Sequence, residues 1–285
     1  HSIARRQRQM CIRDRCQNHN GDMDLLETMV VDAAKNGADI CKIQTIEAKH
    51  LIYWKEFEDF RPYEKEYERL KSLELSGDDE KKFVEICRQN KVEPMTTVFE
   101  HRGFKRFNNV GYKLMKISGY SAQKVLPKIK EFNFEHLYIS TSSMTYREIE
   151  WLTKQLKLNL PYRNYTLLNC TCVYPTPLEK LNLQNIPFYK EHFSLDRIGL
   201  SDHSNPHEDN LLSSKLAIFQ GIDALERHFT ILDKDETRDG KVSITPDMLK
   251  ELKRFSQLEP YLQYIELNKF NDIQKFNHQY YKSRF

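Results

Sequence analysis

The sequence predicts an α/β protein, a TIM (β/α)8 barrel, on three observations. Apolar runs of strand length alternate with amphipathic helical segments, and no Gly/Pro/Ser-rich linker interrupts them. Seven such strands can be read, each followed by a helix, and an eighth belongs before Gln17. Eight βα units fill about 250 residues, the usual size of such a barrel. A doubly wound sheet would carry a glycine-rich phosphate turn after its first strand, whereas the nine glycines here are dispersed.

Each element has its own local reason. The polar loop Gln17-Asn18-His19-Asn20-Gly21-Asp22 leads into a helix from Asp24 to Lys35, and Asp39 to Thr45 is a short strand. Residues 46–75 are aromatic and charged (Tyr53, Trp54, Phe57, Phe60, Tyr63) and too long for an ordinary connection, so a lid is expected. Ser76 and Asp79 form a capping box for a helix running to Gln89. Strands follow at Val92 to Phe99, Tyr112 to Ile117 and Phe134 to Ser140, the last succeeded by a helix boxed by Thr145 and Glu148. Tyr165 to Asn169 is the next strand. The final two, Arg197 to Leu200 and Ile222 to Leu225, each stop at a polar cluster, Ser201-Asp202-His203 and Glu226-Arg227-His228. Between them Asn205 as N-cap, Pro206 at N1 and Glu208 at N3 open a helix. Thr245-Pro246 starts the last helix on the same logic.

Composition narrows the partners. The formal charge is +3, but residues 1–15 hold five arginines against one aspartate, so the other 270 residues sum to −1. That head, HSIARRQRQMCIRDR, has no turn signals and no secretory pattern, and it is expected to be spurious or disordered, or a makeshift first strand. The expected organisation is therefore a head over 1–15, a barrel over 16–258 and a helical tail over 259–285. Neither a nucleic-acid nor a membrane partner is expected, since no apolar run approaches the length of a span. Six cysteines at 11, 16, 41, 87, 170 and 172 match neither a zinc site nor a disulfide framework, which predicts reduced thiols in a cytoplasm.

In a parallel barrel the C-terminal strand ends share one mouth, where catalytic residues gather. Here those ends carry Lys42 and Gln44, Thr96 and Thr97, Lys116, Ser140, Tyr174 just past its strand, Ser201 with His203, and His228. Two lysines and several hydroxyls suit a small, highly charged anion such as a phosphate ester. His203 and His228, at neighbouring strand ends and each near an acid, suit a metal or a catalytic role; strand-end histidines are also often plain hydrogen-bonded loop residues. The residues alone leave both readings open.

The stretches QNHNGD, KIQT, TTVF, LMKIS, ISTSSMT, CVYPTP, IGLSDHS and ERHFT, with Asp239, stand in the order and spacing of the sialic acid synthase family, which the chain resembles from about Gln17 to Leu258. That resemblance implies condensation of phosphoenolpyruvate with an N-acylated hexose such as N-acetylmannosamine, giving a nine-carbon α-keto acid and phosphate. It implies Lys42, Thr97, Lys116, Ser140 and Ser201 as phosphoenolpyruvate contacts, with Gln44 beside them. Tyr174 and Asp239 are the implied amino-sugar contacts. His203 and His228 are the implied ligands of a divalent metal, manganese first, with magnesium or cobalt as alternatives, and with Lys116 they make the catalytic set. A homodimer is compatible with it. The chain departs from the family pattern at Tyr120-Ser121, where an acid is usual, and at Asn169, where histidine is usual; the family's first-strand acid falls at Asp14. The family's C-terminal antifreeze-like domain is expected to be absent. Two other functions compete: a metal-dependent sugar-phosphate lyase or isomerase, and a barrel that binds a phosphorylated sugar without turnover.

Overall fold

In chain order the first half of the protein is β1 (Gln9–Asp14), α1 (Met23–Lys35), β2 (Ile40–Gln44), α2 (Tyr63–Ser72), α3 (Gly77–Gln89), β3 (Glu93–Val98), α4 (Phe104–Val110), β4 (Leu114–Ile117), α5 (Ala122–Val125) and β5 (His136–Ser140). The second half is α6 (Tyr146–Asn159), β6 (Tyr165–Cys170), α7 (Asn185–His192), β7 (Ile198–Asp202), α8 (Pro206–Asp209), α9 (Leu212–Phe219), β8 (Ala224–Phe229), β9 (Ser243–Ile244), α10 (Pro246–Leu262) and α11 (Asp272–Lys282). This computed structural model describes residues 9–14, 18–160, 164–262 and 272–283.

The expected α/β class is borne out. The strands pair in parallel in sequence order, and β1 pairs with both β2 and β8, so the sheet of β1 to β8 curls round to meet itself. The expected basic head contributes β1, whose Ile12 to Asp14 align with Ile40 to Lys42; residues 1–8 and 15–17 lie outside the described residues. At the other end, α10 runs across the expected boundary at 258, and residues 263–271 and 284–285 of the expected tail lie outside the described residues. Among the described helices none is long and apolar enough to cross a membrane, and Cys41, Cys87, Cys170 and Cys172 are free thiols.

Two apolar layers hold the fold. The larger lies between the sheet and its helices. In α1, for example, Leu26, Met29, Val30 and Ala33 recur at helical spacing and are fully buried, and each larger one contributes roughly 1.5–3 kcal/mol. The smaller is a separate cluster of Ile40, Met95, Leu114, Tyr138, Leu168 and Ala224, one residue from each of six strands. Gly199 of β7 joins this ring without a side chain. A Cβ there would stand 2.3 Å from the Ala224 carbonyl oxygen and 2.6 Å from Leu168.

Local signals set the helix starts. Ser76 with Asp79 and Thr145 with Glu148 form complete capping boxes, and α10 begins at Pro246, with Thr245 Oγ1 accepting from Met248 N. Two expectations need correction. Most of the polar clusters after the last two strands belong to the strands: β7 continues through Asp202, with His203 just beyond it, and β8 continues through Phe229. Polar side chains ended those strands in the sequence pattern because it cannot tell a polar barrel interior from solvent. The helix capped by Asn205 is also interrupted. Asn210 and Leu211 take left-handed φ values of 51° and 62°, dividing α8 from α9. The carboxylate of Asp209 drives that break by accepting from the Leu211 amide and the Ser213 hydroxyl. Within the expected lid, Tyr63–Ser72 is the helix α2.

Candidate functional site

Strand alternation builds the site. The residues of the small apolar cluster point into the barrel, so residues two positions on point the same way. These are Lys42 after Ile40, Thr97 after Met95, Lys116 after Leu114, Ser140 after Tyr138, Cys170 after Leu168 and Glu226 after Ala224, with Ser201 two beyond Gly199. On some strand pairs the layer is level, with Lys116 aligned with Thr97 and Ser201 with both Cys170 and Glu226. On others it is staggered, with Lys42 beside Met95, Lys116 beside Tyr138 and Ser140 beside Leu168. An apolar floor thus carries a polar layer, and Gln44 and His228 stand one step higher.

Lys42 and Lys116 are buried in that layer at 0% and 5% exposure. Lys42 Nζ donates to Thr97 Oγ1 at 2.9 Å. Lys116 Nζ forms an ion pair with Glu226 Oε1, and Ser201 Oγ donates to the same oxygen at 2.6 Å. Two buried ammonium groups with hydroxyls beside them suit an anion, and Asp14 of β1 is the residue aligned with Lys42. Ser140 Oγ lies 2.9 Å from Ser142 Oγ, which accepts from the Gly119 amide. Cys170, beside them, is held as a thiol, its pKa pushed up to about 12 chiefly by burial.

His203 and His228 come together as their strand ends require, with ring centroids 5.2 Å apart. His203 Nδ1 lies 3.2 Å from the Thr171 carbonyl oxygen. A carbonyl only accepts, so Nδ1 carries the proton and Nε2 accepts from Tyr174 OH at 3.0 Å. His228 is buried, and neither of its ring nitrogens has a hydrogen-bond partner among the described residues. Asp239 Oδ2 is 3.3 Å from its Nδ1. His228, with both ring nitrogens unsatisfied among the described residues, suits a divalent ion of borderline softness, and His203 would join it where the ion replaces the Tyr174 hydroxyl on Nε2. Among the described residues no group of three or more His, Cys, Asp and Glu side chains is arranged to hold one, so substrate and water would complete the shell.

The acids that flank the histidines in sequence divide between the two faces of the sheet. Asp202 turns away from His203 and, fully buried, pairs with Arg227 Nη1 at 2.7 Å. Burial opposes its charge, but Arg227 and the hydrogen bonds from Ser214, Ser213 and Ser204 hold its carboxyl below the ordinary range. Arg227 also donates to Ser204 O and Oγ, both at 3.1 Å. This network fixes the loop that carries His203. Glu226 faces inward instead, a role missed by reading β8 as ending at Leu225. Its signal was available: it sits two residues before His228, on the same face of an extended strand. Tyr120 is exposed and stacks on Phe99 at 6.3 Å, and Asn169 donates to Leu181 O at 3.1 Å.

Above the polar layer opens a cavity of about 840 Å³, lined by Gln44, Tyr174, His228 and Asp239 from the barrel mouth. Its far side is formed by residues 46–70, where the lid was expected.

A model of the NeuB family matches residues 29–261. The chain is 31% identical over 246 residues to the N,N'-diacetyllegionaminic acid synthase of Campylobacter jejuni subsp. jejuni serotype O:2, covering 82% of this chain and 71% of that protein. It is 30% identical over 259 residues to the N,N'-diacetyllegionaminic acid synthase of Legionella pneumophila, covering 82% and 67%. The crystal structure of the N-acetylneuraminic acid synthetase of Leptospira borgpetersenii serovar Hardjo-bovis, in complex with citrate, superposes with a TM-score of 0.80. That match covers 97% of this chain and 92% of the other at 20% identity, a likeness of fold.

Proposed function

The chain belongs to the NeuB family of synthases, and from that premise we propose that its (β/α)8 barrel condenses phosphoenolpyruvate with an N-acylated hexose, releasing phosphate and a nine-carbon α-keto acid. The observation that carries the reading is the polar layer on its apolar floor. Two buried lysines point inward, Lys42 bonded to Thr97 and Lys116 sharing Glu226 with Ser201, and His203 and His228 adjoin at the ends of neighbouring strands.

In this reading the phosphate and carboxylate of phosphoenolpyruvate enter the lysine layer, where burial strengthens each charge-assisted hydrogen bond. Serine and threonine hydroxyls supply further donors and set the orientation. The sugar occupies the cavity above, with Gln44, Tyr174 and Asp239 around it. C3 of phosphoenolpyruvate then bonds to the aldehyde carbon. Water adds at C2, the C2–O bond to phosphate breaks, and the keto group forms. Tyr174 OH, which donates to His203, and Asp239, 3.3 Å from His228 Nδ1, would orient the aldehyde oxygen, with the Tyr174 hydroxyl able to pass it a proton. A divalent ion held by His203 and His228, manganese by preference, would supply Lewis-acid stabilisation of the developing alkoxide.

The test is phosphate release from phosphoenolpyruvate plus N-acetylmannosamine, with and without manganese. Release that needs both substrates and the ion supports the synthase. Phosphoenolpyruvate binding without release under any condition leaves a binding barrel, and no binding at millimolar ligand overturns the reading.

A further inference from the structure

The pairing of β7 with β8 ends where Asp202 stands opposite Arg227, one residue short of both histidines. His228 is still held by its other neighbours, aligned with Asp14 of β1 and Ser243 of β9, but β7 has ended and His203 opens a loop. Among the described residues no strand pairing therefore spans the gap between the two imidazoles, whose ring centroids lie 5.2 Å apart. What crosses it is the side chain of Arg227. Its Nη1 pairs with Asp202 Oδ1 at 2.7 Å and donates to Ser204 Oγ at 3.1 Å, and its Nη2 donates to Ser204 O at 3.1 Å. The residue before His228 thus grips the residues on either side of His203. Ser204 N closes the same turn by donating to Asp202 Oδ1 at 2.9 Å. Ser213 and Ser214 of α9 anchor Asp202 Oδ2 at 2.7 and 2.6 Å. The His203 carbonyl in turn accepts from Thr176 N at 2.8 Å, so the loop that carries Tyr174 hangs on the same bracket.

Resting on the synthase reading, in which the two histidines hold a divalent ion, we propose that Arg227 and Asp202 are positioning residues that fix the separation of His203 and His228, and through it the affinity for that ion. A buried ion pair adds little net stability over apolar groups of the same volume. A planar fork bonded to two partners does, however, impose one geometry. Metal–imidazole bonds of about 2 Å tolerate little drift of the ligands, and groups that orient metal ligands are commonly worth about 10–100-fold in affinity. Neither residue touches the ion or the substrates. Both lie on the helix side of the sheet, and their effect passes through the backbone to the next residue.

Calorimetry on the full chain, with manganese chloride and separately with phosphoenolpyruvate, tests this in the Asp202→Asn, Arg227→Met double variant. The two substitutions roughly keep the volume and remove both charges together, so no buried charge is stranded. Manganese should bind about 10–100-fold more weakly than in the parent. Phosphoenolpyruvate affinity should change little, because Ser201 and Glu226 lie inside the paired part of the strands. Arg227→Lys keeps the charge but not the fork, and its manganese affinity should fall between those of the parent and the double variant. Nitrogen NMR of the histidine rings in the metal-free chain gives a readout that stability alone does not move. His203 should show one tautomer, protonated on Nδ1, in the parent and an average of both in the double variant. Unchanged manganese affinity in the double variant, equal losses for the two ligands, or an unchanged ring spectrum overturns the proposal. So does an Arg227→Lys variant that matches the parent, a comparison that stands even where the double variant does not fold. A parent that binds no manganese or no phosphoenolpyruvate fails the synthase reading instead, and the ring spectra then still decide whether the bracket orders His203.

Discussion

Lys116→Met is the most informative perturbation of the polar layer. The side chains of Lys116 and Glu226 are 6% and 1% exposed, and the lysine is the cation facing that carboxylate. Methionine keeps the volume and removes the charge, leaving Glu226 with the Ser201 hydroxyl alone on Oε1 and with Oε2 unsatisfied among the described residues. Removing one partner of a buried pair costs about 3–5 kcal/mol. At roughly 2–4 °C per kcal/mol for a chain of this size, thermal unfolding should fall by about 6–20 °C. Replacing both partners by apolar groups is often neutral, so Lys116→Met with Glu226→Leu should recover most of the loss while phosphoenolpyruvate binding stays absent. Thermal and urea melts of the single and double variants, with calorimetric titration of phosphoenolpyruvate, measure both effects. A single variant within about 1 kcal/mol of the parent, or a double variant as unstable as the sum of its parts, would show that the pair is not the buried, coupled unit described.

Other expectations concern separate parts of the molecule. His203→Ala and His228→Ala should each abolish manganese binding in calorimetry while phosphoenolpyruvate affinity changes little; equal loss of both ligands would count against the division of the site into two layers. Glu80 is buried against Arg106 at 3.0 Å, and burial raises its pKa from 4.5 to about 7 despite that partner. A raised carboxyl contributes stability that is complete below pH 4.5 and lost as pH rises through 7. The stability of the parent relative to Glu80→Gln should thus fall by on the order of 3 kcal/mol between pH 4.5 and pH 8, and a flat difference in urea melts would refute it. Gly199→Ala places a Cβ 2.3 Å from the Ala224 carbonyl oxygen, which should cost about 1–3 kcal/mol or more in the same melts. A neutral result would mean that the barrel floor is looser than its contacts indicate.

By itself the sequence determined whatever depends on neighbours a few positions apart. The capping boxes at Ser76 and Thr145 close over three residues, and they stand as expected. The alternation of strand and helix likewise followed from local periodicity, and parallel strands then put Lys42, Thr97, Lys116, Ser140, Ser201 and the two histidines at one end of the sheet. Only the tertiary structure decided which of these residues meet. Lys116 and Glu226 are 110 residues apart and Tyr174 and His203 are 29 apart, so their contacts exist only once distant strands and loops lie side by side. For the same reason Asp202 and Glu226, alike in sequence as acids beside a histidine, have opposite duties: strand alternation turns one toward Arg227 beneath the helices and the other into the barrel. Three arginines brought to a single glutamate from residues 46–75 and from the loop after β8 were equally beyond the reach of any local pattern, because no periodicity encodes the distance between two segments that only the curvature of the sheet brings together.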